Sequence, residues 1–190
     1  MRLFVALVPP VEVVEDLSEF LAPRQEAPEA SGMRWTAPEQ WHVTLAFMGD
    51  VADRHLDDLV ERLGRASARR AALDLAVAGG GAFPDVARAK VLYAGLDTTG
   101  RAADLRHLAV GVRAAAAKAG AAAEGGRFRA HVTLARLGRP VDVTRWVRVL
   151  DAYHGPSWRA DEVSLVQSHL GEGPRRRPRY EVLETFPLGA

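Results

Sequence analysis

One eight-residue motif occurs twice in this sequence, beginning at His42 and again at His131. The first copy reads His-Val-Thr-Leu-Ala-Phe-Met-Gly and the second His-Val-Thr-Leu-Ala-Arg-Leu-Gly, so six of the eight columns are identical. Both copies alternate in the manner of a half-buried β-strand, in which residues two apart share a face. Each strand therefore presents His42 with Thr44, or His131 with Thr133, on one side. Two such strands brought together would form a symmetric site.

The rest of the chain predicts strands and helices in mixed order, with no low-complexity linker between them. Strands are predicted at 3–8, 33–35, 41–48, 73–77, 89–96, 129–137, 158–166 and 180–186. Helices are predicted from Pro10 to about Leu21 and at 53–70, 102–119 and 143–150. The prolines from Pro23 onward and the glycines 79–81 are expected to end the elements before them.

A motif strand, a helix and further strands occur in each half of the chain. The sequence therefore predicts an α+β fold in which residues 1–190 form a single bilobal domain. Each lobe is expected to contain an antiparallel sheet with helices, and a pseudo-twofold axis is expected to relate the two lobes. The motifs would then face each other across a groove between them.

Composition excludes several classes of protein. The 25 basic and 24 acidic residues give a net charge of +1, so any anionic ligand must be held by local groups. The absence of cysteine excludes disulfides, thiol nucleophiles and thiolate metal sites. The apolar run at 1–8 is too short for a membrane span and is unlike a signal peptide. We expect a cytoplasmic monomer with neither a membrane nor an obligate protein partner.

The repeated histidine and threonine indicate acid–base chemistry at phosphorus. One such pair also suits an ordinary strand, but an apolar strand pattern gives no reason to carry both polar residues twice. Two imidazoles supply a general base and a general acid, and threonine hydroxyls can hydrogen-bond non-bridging phosphate oxygens. No cofactor is expected. No metal is expected either, because two histidines without a nearby carboxylate fall short of the three protein ligands usual for catalytic zinc.

The sixth motif column separates the two copies, because it holds Phe47 in the first and Arg136 in the second. Arginine offers a charged fork for phosphate, and phenylalanine offers a stacking surface for a base. Strand parity opposes this interpretation, since a residue five positions after the histidine points to the opposite face unless a bulge or strand end turns it. In the simpler alternative, Phe47 is a core residue and Arg136 is a solvated surface residue.

These residues resemble the 2H phosphoesterase superfamily, in particular the bacterial and archaeal RNA 2′,3′-cyclic phosphodiesterases once called 2′-5′ RNA ligases. The doubled His-x-Thr motif at this separation is the specific part of the resemblance. Weaker matches extend it over most of the chain, at 2–7, 34–35, 81–84, 128–136 and 180–188. One departure is Ala130, where relatives commonly have proline; this affects backbone stiffness more than chemistry.

The resemblance implies a bilobal fold with both motifs in a central groove. It also implies metal-independent hydrolysis of a terminal 2′,3′-cyclic phosphate, on RNA or a small cyclic nucleotide, to a 2′-phosphomonoester. By that analogy His42 is the acid that protonates O3′ and His131 is the base that activates water, although pseudo-symmetry permits the reverse. The other implied roles are phosphate contacts from Thr44, Thr133 and Arg136, and base stacking from Phe47.

Two other functions stay open on the sequence: a 2′-5′ RNA ligase or phosphodiesterase on the same scaffold, and a non-catalytic module that binds RNA ends or nucleotides. Binding alone would not need two proton-transfer groups, which favours an enzyme. The arginine-rich segment 175–179 can be interpreted as a guide for an RNA backbone or, more simply, as a solvated hairpin loop. Gln40 and Arg129 share the histidine face and are candidates for the groove. His154 and His169 receive no role.

Overall fold

The structure is a computed structural model that describes residues 1–189. Its strands are β1 (Leu3–Leu7), β2 (Met33–Trp35), β3 (Val43–Met48), β4 (Leu73–Phe83), β5 (Ala89–Asp97), β6 (Val132–Val141), β7 (Trp158–Ala160), β8 (Glu162–His169) and β9 (Arg179–Pro187). Its helices are α1 (Val11–Gln25), α2 (Leu56–Ala68), α3 (Ala102–Lys118) and α4 (Thr144–Asp151). Within the described residues, no helix combines the length and the apolar character that crossing a membrane requires.

The strands form one hydrogen-bonded order, β7-β4-β5-β6-β3-β1-β8-β9, with β2 added beside β6. The motif strands β3 and β6 are antiparallel neighbours at the centre of this order, where Val43 pairs with Val132. These two valines occupy the same motif column, so the two copies meet at equivalent positions. The predicted α+β class, with an antiparallel sheet and helices, is confirmed. The pseudo-twofold axis between whole lobes stays a prediction.

A β-bulge interrupts the first motif strand. Beside β3, Ala6 pairs with Thr44 but the preceding Val5 pairs with Ala46, which leaves Leu45 as an extra residue in β3. Leu45 and Ala46 are adjacent in sequence and both are buried, so the alternation of buried and accessible side chains changes phase here. Every side chain after this point in β3 lies on the face opposite to the one that uninterrupted alternation would give.

The second motif strand carries a bulge at the same motif column. Beside β6, Tyr93 pairs with Thr133 and the preceding Leu92 pairs with Ala135, which leaves Leu134 as the extra residue. Leu134 and Ala135 are again both buried. The two motif strands therefore share their backbone irregularity as well as their residues.

One face of the sheet packs with the helices to form the main core. Strand β1 shows the division between faces, because Leu3, Val5 and Leu7 belong to the main core while Phe4 and Ala6 do not. Each helix contributes apolar side chains to that core, among them Leu17, Leu59, Leu63, Leu105, Val112 and Leu150. Phe4 and Ala6 instead join a small apolar cluster that includes Phe47, Val166 and Tyr180. The second face is thereby left open for a groove.

The strand predicted before Gly79 does not end there, because β4 continues through all three glycines. Its pairing with β5 shifts register at this point, which absorbs the irregularity. A Cβ atom on Gly80 would lie 2.5 Å from the Leu150 side chain, and one on Gly81 would lie 2.3 Å from the Tyr93 hydroxyl. Gly80 and Gly81 are therefore needed for close packing within the strand, whereas Gly79 adopts φ = 68° at the register shift.

Other predicted boundaries also differ from the structure. Strand β3 begins at Val43 rather than at 41, and β6 is Val132–Val141 rather than 129–137, so each motif histidine immediately precedes its strand. Helix α1 passes through Pro23 and ends at Gln25. The proline has no N–H to donate to the carbonyl oxygen of Glu19, four residues earlier. In the same turn, the Arg24 guanidinium donates to the carbonyl oxygen of Phe20 at 2.6 Å and lies 4.0 Å from its ring centroid. The single strand predicted at 158–166 is divided into β7 and β8, because β7 pairs with β4 while β8 pairs with β1 and β9.

Candidate active site

A groove of about 860 Å³ opens beside the motif strands. Because β3 and β6 are neighbours, both motif histidines and both motif threonines line it, and so do the two residues of the sixth column. The structure therefore brings together all six site residues predicted from the sequence: His42, Thr44, Phe47, His131, Thr133 and Arg136.

Each motif histidine is held through its Nδ1 atom by a backbone carbonyl two residues earlier. His42 Nδ1 lies 2.7 Å from the carbonyl oxygen of Gln40, and His131 Nδ1 lies 2.7 Å from that of Arg129. A carbonyl oxygen can only accept a hydrogen bond, so Nδ1 must carry the proton. Nε2 is then the atom that exchanges a proton with a ligand, and it is the same atom in both copies.

His42 is packed against two aromatic rings. The Phe4 ring stacks on it with centroids 4.6 Å apart and planes 25° apart, and the Tyr180 ring meets it edge-on at 5.6 Å. Burial lowers the pKa of His42 below its ordinary value, because the imidazolium form loses hydration. The hydrogen bond to the backbone carbonyl opposes this shift, and the nearby charges of His131 and Arg136 add to it.

His131 also lies among aromatic rings. The centroid of Phe83 is 4.9 Å away in an edge-on arrangement, and that of Tyr93 is 5.3 Å away. Burial again lowers the pKa of the imidazole, and the positive charges of Arg136 and Arg129 lower it further against the opposing effect of the backbone hydrogen bond. Both imidazoles are therefore biased toward the neutral form when no ligand is present.

The two bulges explain why the sixth motif column faces the groove. Five residues after a histidine, uninterrupted alternation would direct Phe47 and Arg136 toward the main core. The extra residue in each strand returns them to the face of the histidine and the threonine. Phe47 is half-buried and Arg136 is exposed at the groove. This placement removes the objection from strand parity, while the roles of the two side chains stay predictions.

Two further arginines accompany these side chains. Arg34 of β2 pairs in register with Arg136 of β6, and both line the groove. Like charges directly opposite each other repel, and a bound anion would relieve that repulsion. The Arg2 guanidinium lies 4.5 Å from the centroid of the Phe47 ring. One face of the ring predicted to stack on a base is thus covered by a cation.

Positive charge is concentrated in the groove although the whole chain has a net charge of only +1. Among the described residues that line it there is no aspartate or glutamate, and there are six arginines: Arg2, Arg34, Arg136, Arg175, Arg176 and Arg177. This arrangement provides the local groups that an anionic ligand requires in a nearly neutral protein. Within residues 1–189, no cluster of three or more histidine or carboxylate side chains is placed to hold a metal ion.

Sequence reasoning assigned no role to eight of the described groove residues, and Arg2, Phe4, Arg34 and Tyr180 are four of them. Their segments belonged to the weaker parts of the family resemblance, and none of them lies in the doubled motif. Arg2 and Tyr180 come from opposite ends of the chain and meet because β8 pairs with both β1 and β9. Such a long-range juxtaposition leaves no local pattern in the sequence.

The remaining candidates divide between groove and surface. Gln40 lines the groove as predicted, whereas Arg129 is not among the lining residues and its guanidinium lies 5.5 Å from the Phe83 ring centroid. His154 Nε2 lies 3.0 Å from Asp97 and His169 Nε2 lies 2.9 Å from Glu181, and both histidines lie outside the described lining. Neither of these two histidines joins the motif pair.

An arginine-lined groove with two equivalent His-x-Thr strands defines a phosphoesterase of the paired-histidine class. The family model described as LigT like Phosphoesterase matches residues 7–93 and 96–175. The chain belongs to this family, and the resemblance seen in the doubled motif is confirmed.

Relatives and solved structures agree with this assignment. A protein of Thermus thermophilus named RNA 2′,3′-cyclic phosphodiesterase is 29% identical over 190 residues, which cover 99% of this chain and 90% of that protein. A protein of Aquifex aeolicus with the same name is 29% identical over 157 residues, 82% of each chain. The crystal structure of E. coli LigT complexed with 3′-AMP has a TM-score of 0.77 and 26% identity, covering 100% of this chain and 98% of that one.

Proposed function

We propose that this protein hydrolyses 2′,3′-cyclic phosphate ends of RNA, or small cyclic nucleotides, to 2′-phosphomonoesters without a metal. The observation that carries the proposal is the pair of equivalent histidines in one arginine-lined groove, each with Nδ1 held and Nε2 left for proton exchange. The names of the Thermus and Aquifex relatives support cyclic phosphodiester hydrolysis. The 3′-AMP complex of E. coli LigT supports a nucleotide as the ligand class.

In the proposed reaction, His131 Nε2 takes a proton from water while the water oxygen forms a bond to phosphorus. The bond between phosphorus and O3′ breaks, its electron pair stays on O3′, and His42 Nε2 supplies the proton that O3′ requires. The hydroxyls of Thr44 and Thr133 donate hydrogen bonds to the non-bridging oxygens as negative charge gathers there. The product is a 2′-phosphate, and proton exchange with solvent restores both imidazoles.

Burial and the charge of Arg136 lower the pKa of both imidazoles, so the assignment of acid and base follows the family resemblance. The charges of Arg129 and Arg136 lower the pKa of His131, which favours the neutral ring that a base requires. His42 must carry a proton when the reaction begins. A bound phosphodiester is negatively charged and would raise the pKa of His42 from its lowered value in the free protein.

The proposed site is complete within one chain, because both motif strands belong to the same sheet. A single copy of residues 1–190, acting as a monomer, therefore suffices for the reaction. The terminal base is proposed to lie beside Phe47, whose ring and the Arg2 guanidinium together offer a stacking surface.

Turnover of an RNA that ends in a 2′,3′-cyclic phosphate should be unaffected by EDTA and should yield a 2′-phosphate. The reason is that the proton transfers and the charge stabilisation are assigned to side chains of this chain. The measurement is incubation with and without EDTA, followed by phosphorus NMR of the product. The same RNA with a linear 3′-phosphate end is the control and should remain unchanged.

Loss of turnover with EDTA would contradict the metal-independent reaction. A 3′-phosphate product would contradict the assignment of O3′ as the leaving oxygen. Binding of the RNA without any turnover would favour the non-catalytic module instead.

A further inference from the structure

We propose that Arg175, Arg176 and Arg177, called here the arginine arm, bind the phosphodiester backbone upstream of the reacting RNA end. The inference rests on the proposed function, because it concerns the substrate of the same groove. It adds that RNA chains are preferred over mononucleotides. All three residues line the groove and lie between β8 and β9, where Arg175 and Arg176 belong to a short 3₁₀ turn and Arg177 follows it.

The number of cations in the groove exceeds what one cyclic phosphate requires. A cyclic phosphodiester carries a single negative charge, and Arg34 and Arg136 already face each other beside the motif strands. The arm adds three more positive charges to the same lining. Each further nucleotide of an RNA chain adds one negative charge, so the charge of the groove matches a chain better than a single nucleotide.

Backbone conformation argues against a plain surface turn. Arg175 has φ = 55° and Arg176 has φ = 59°, which places two consecutive side-chain-bearing residues in the left-handed region. Glycine adopts this region without a steric penalty, and Gly171 in the same connection does so at φ = 74°. The turn alone would be formed more easily by glycine. The arginine side chains therefore need another explanation, and a ligand in the groove supplies one.

A hydrogen bond connects the segment that follows the arm to Gln40, the residue whose backbone holds His42. Gln40 Nε2 donates to the carbonyl oxygen of Pro178 at 2.6 Å, while the carbonyl oxygen of Gln40 accepts from His42 Nδ1 at 2.7 Å. Within the turn, the backbone N–H of Gly173 donates to the carbonyl oxygen of Arg177 at 2.8 Å. These contacts hold the arm at a defined position relative to His42, the proposed acid. A fixed position is needed if the arm is to bind backbone phosphates while the RNA end lies at the histidines.

The neighbouring Arg179 shows what an arginine with a structural role looks like in this region. Its guanidinium contacts Glu172 at 2.9 Å and Glu181 at 3.3 Å, and it is not among the described lining residues. Within residues 1–189, none of the three arm guanidinium groups forms an ion pair with a carboxylate. Leu170, 62% exposed, lines the groove close by in sequence and offers apolar contact to a nucleoside. The arm thus keeps its charge available to phosphate.

The test compares the triple variant R175Q/R176Q/R177Q with a matched variant, R65Q/R69Q/R106Q. The matched variant removes the same charge from three exposed arginines outside the described groove lining. Arg65 lies on α2, Arg69 follows α2 directly, and Arg106 lies on α3. Two substrates are used: an RNA of about ten nucleotides with a 2′,3′-cyclic phosphate end, long enough for several phosphate contacts, and cytidine 2′,3′-cyclic phosphate. Melting curves establish that both variants fold.

The arm variant should lower kcat/KM for the oligomer about 10- to 10²-fold more than for the mononucleotide, because phosphate contacts are lost only on the chain. The slope of log(kcat/KM) against log salt for the oligomer should weaken by about 2, since each lost contact with single-stranded RNA contributes about 0.7. The matched variant should leave the ratio of the two substrates unchanged.

An equal loss on both substrates, an unchanged salt slope, or the same loss in the matched variant would overturn the arginine arm. Binding of the oligomer, followed by fluorescence anisotropy, separates this inference from the proposed function. If the unmodified protein binds the oligomer in a salt-dependent way but does not turn it over, and the arm variant loses this binding, the arginine arm is supported and the proposed hydrolase is contradicted. If both substrates are turned over and the arm variant behaves like the unmodified protein, the proposed hydrolase is supported and the arginine arm is contradicted.

Discussion

Replacing His42 or His131 with alanine is expected to lower kcat for a 2′,3′-cyclic phosphodiester by about 10²- to 10⁴-fold. Each imidazole is assigned one proton transfer at Nε2, and alanine provides no group to replace it. The phosphate contacts remain, so KM should change much less than kcat. Steady-state kinetics on the RNA substrate measures both quantities. The double variant should lose less than the product of the two single losses, because acid and base act in one step.

His154→Ala is the matched control for these variants. His154 pairs with Asp97 at 3.0 Å and lies outside the described groove lining, so its loss should leave kcat unchanged. The His42 ring packs on Phe4, and the glutamine variants His42→Gln and His131→Gln retain side-chain volume where alanine disturbs folding. A folded variant of either motif histidine with nearly full kcat would contradict the two-histidine mechanism.

Arg136→Gln is expected to lower kcat/KM by about 10²-fold, in the range seen when one stabilising donor is removed from a reacting anion. Glutamine keeps a hydrogen-bond donor but loses the charge and the fork geometry that match a phosphate. The bulge at Leu134 is what brings this side chain to the histidine face. The measurement is kcat/KM on the cyclic phosphate substrate at fixed salt, with the folded state monitored by circular dichroism.

Arg139→Gln provides the matched control on the same strand. Arg139 is exposed on β6, three residues beyond Arg136, and is not among the described lining residues. Its replacement removes the same charge and should leave kcat/KM unchanged. Equal losses in the two variants would indicate a general effect of net charge. Full activity of Arg136→Gln would contradict the role of the sixth motif column.

The presence of the six site residues in one groove could be predicted, because all six belong to a motif that occurs twice in the local sequence. The direction of Phe47 and Arg136 could not be predicted. It depends on the extra residues Leu45 and Leu134, and these become extra only through pairing with β1 and β5, which are distant in sequence. Parity is a rule for a regular strand, and the fold departs from it at this column.

The helices and most strands could also be predicted, since their apolar periodicity is local. The continuation of β4 through its glycines could not, because Gly80 and Gly81 accommodate the side chains of Leu150 and Tyr93, which are distant in sequence or on another strand. The wall of the groove formed by Arg2 and Tyr180 likewise depends on strand order. Sequence patterns therefore predict which elements form and which motif residues line the groove, while contacts between distant strands decide the shape of the site.

The pH dependence of kcat/KM tests the central claim most directly. Activity should rise with pH as His131 becomes neutral and fall as His42 loses its proton, giving a bell-shaped profile. Burial and nearby positive charge lower the pKa of both imidazoles, so the maximum for the free protein should lie below the ordinary histidine pKa of about 6.5. Arg136→Gln should move both limbs to higher pH, because it removes a charge that lowers both pKa values.

Profiles of the single histidine variants complete this measurement. The residual activity of His131→Ala should lack the acidic limb, and that of His42→Ala should lack the basic limb. The opposite pattern would exchange the two roles. The account predicts a bell-shaped profile in the unmodified protein, with each limb removed by one histidine substitution. A profile that keeps both limbs when either histidine is replaced would contradict it.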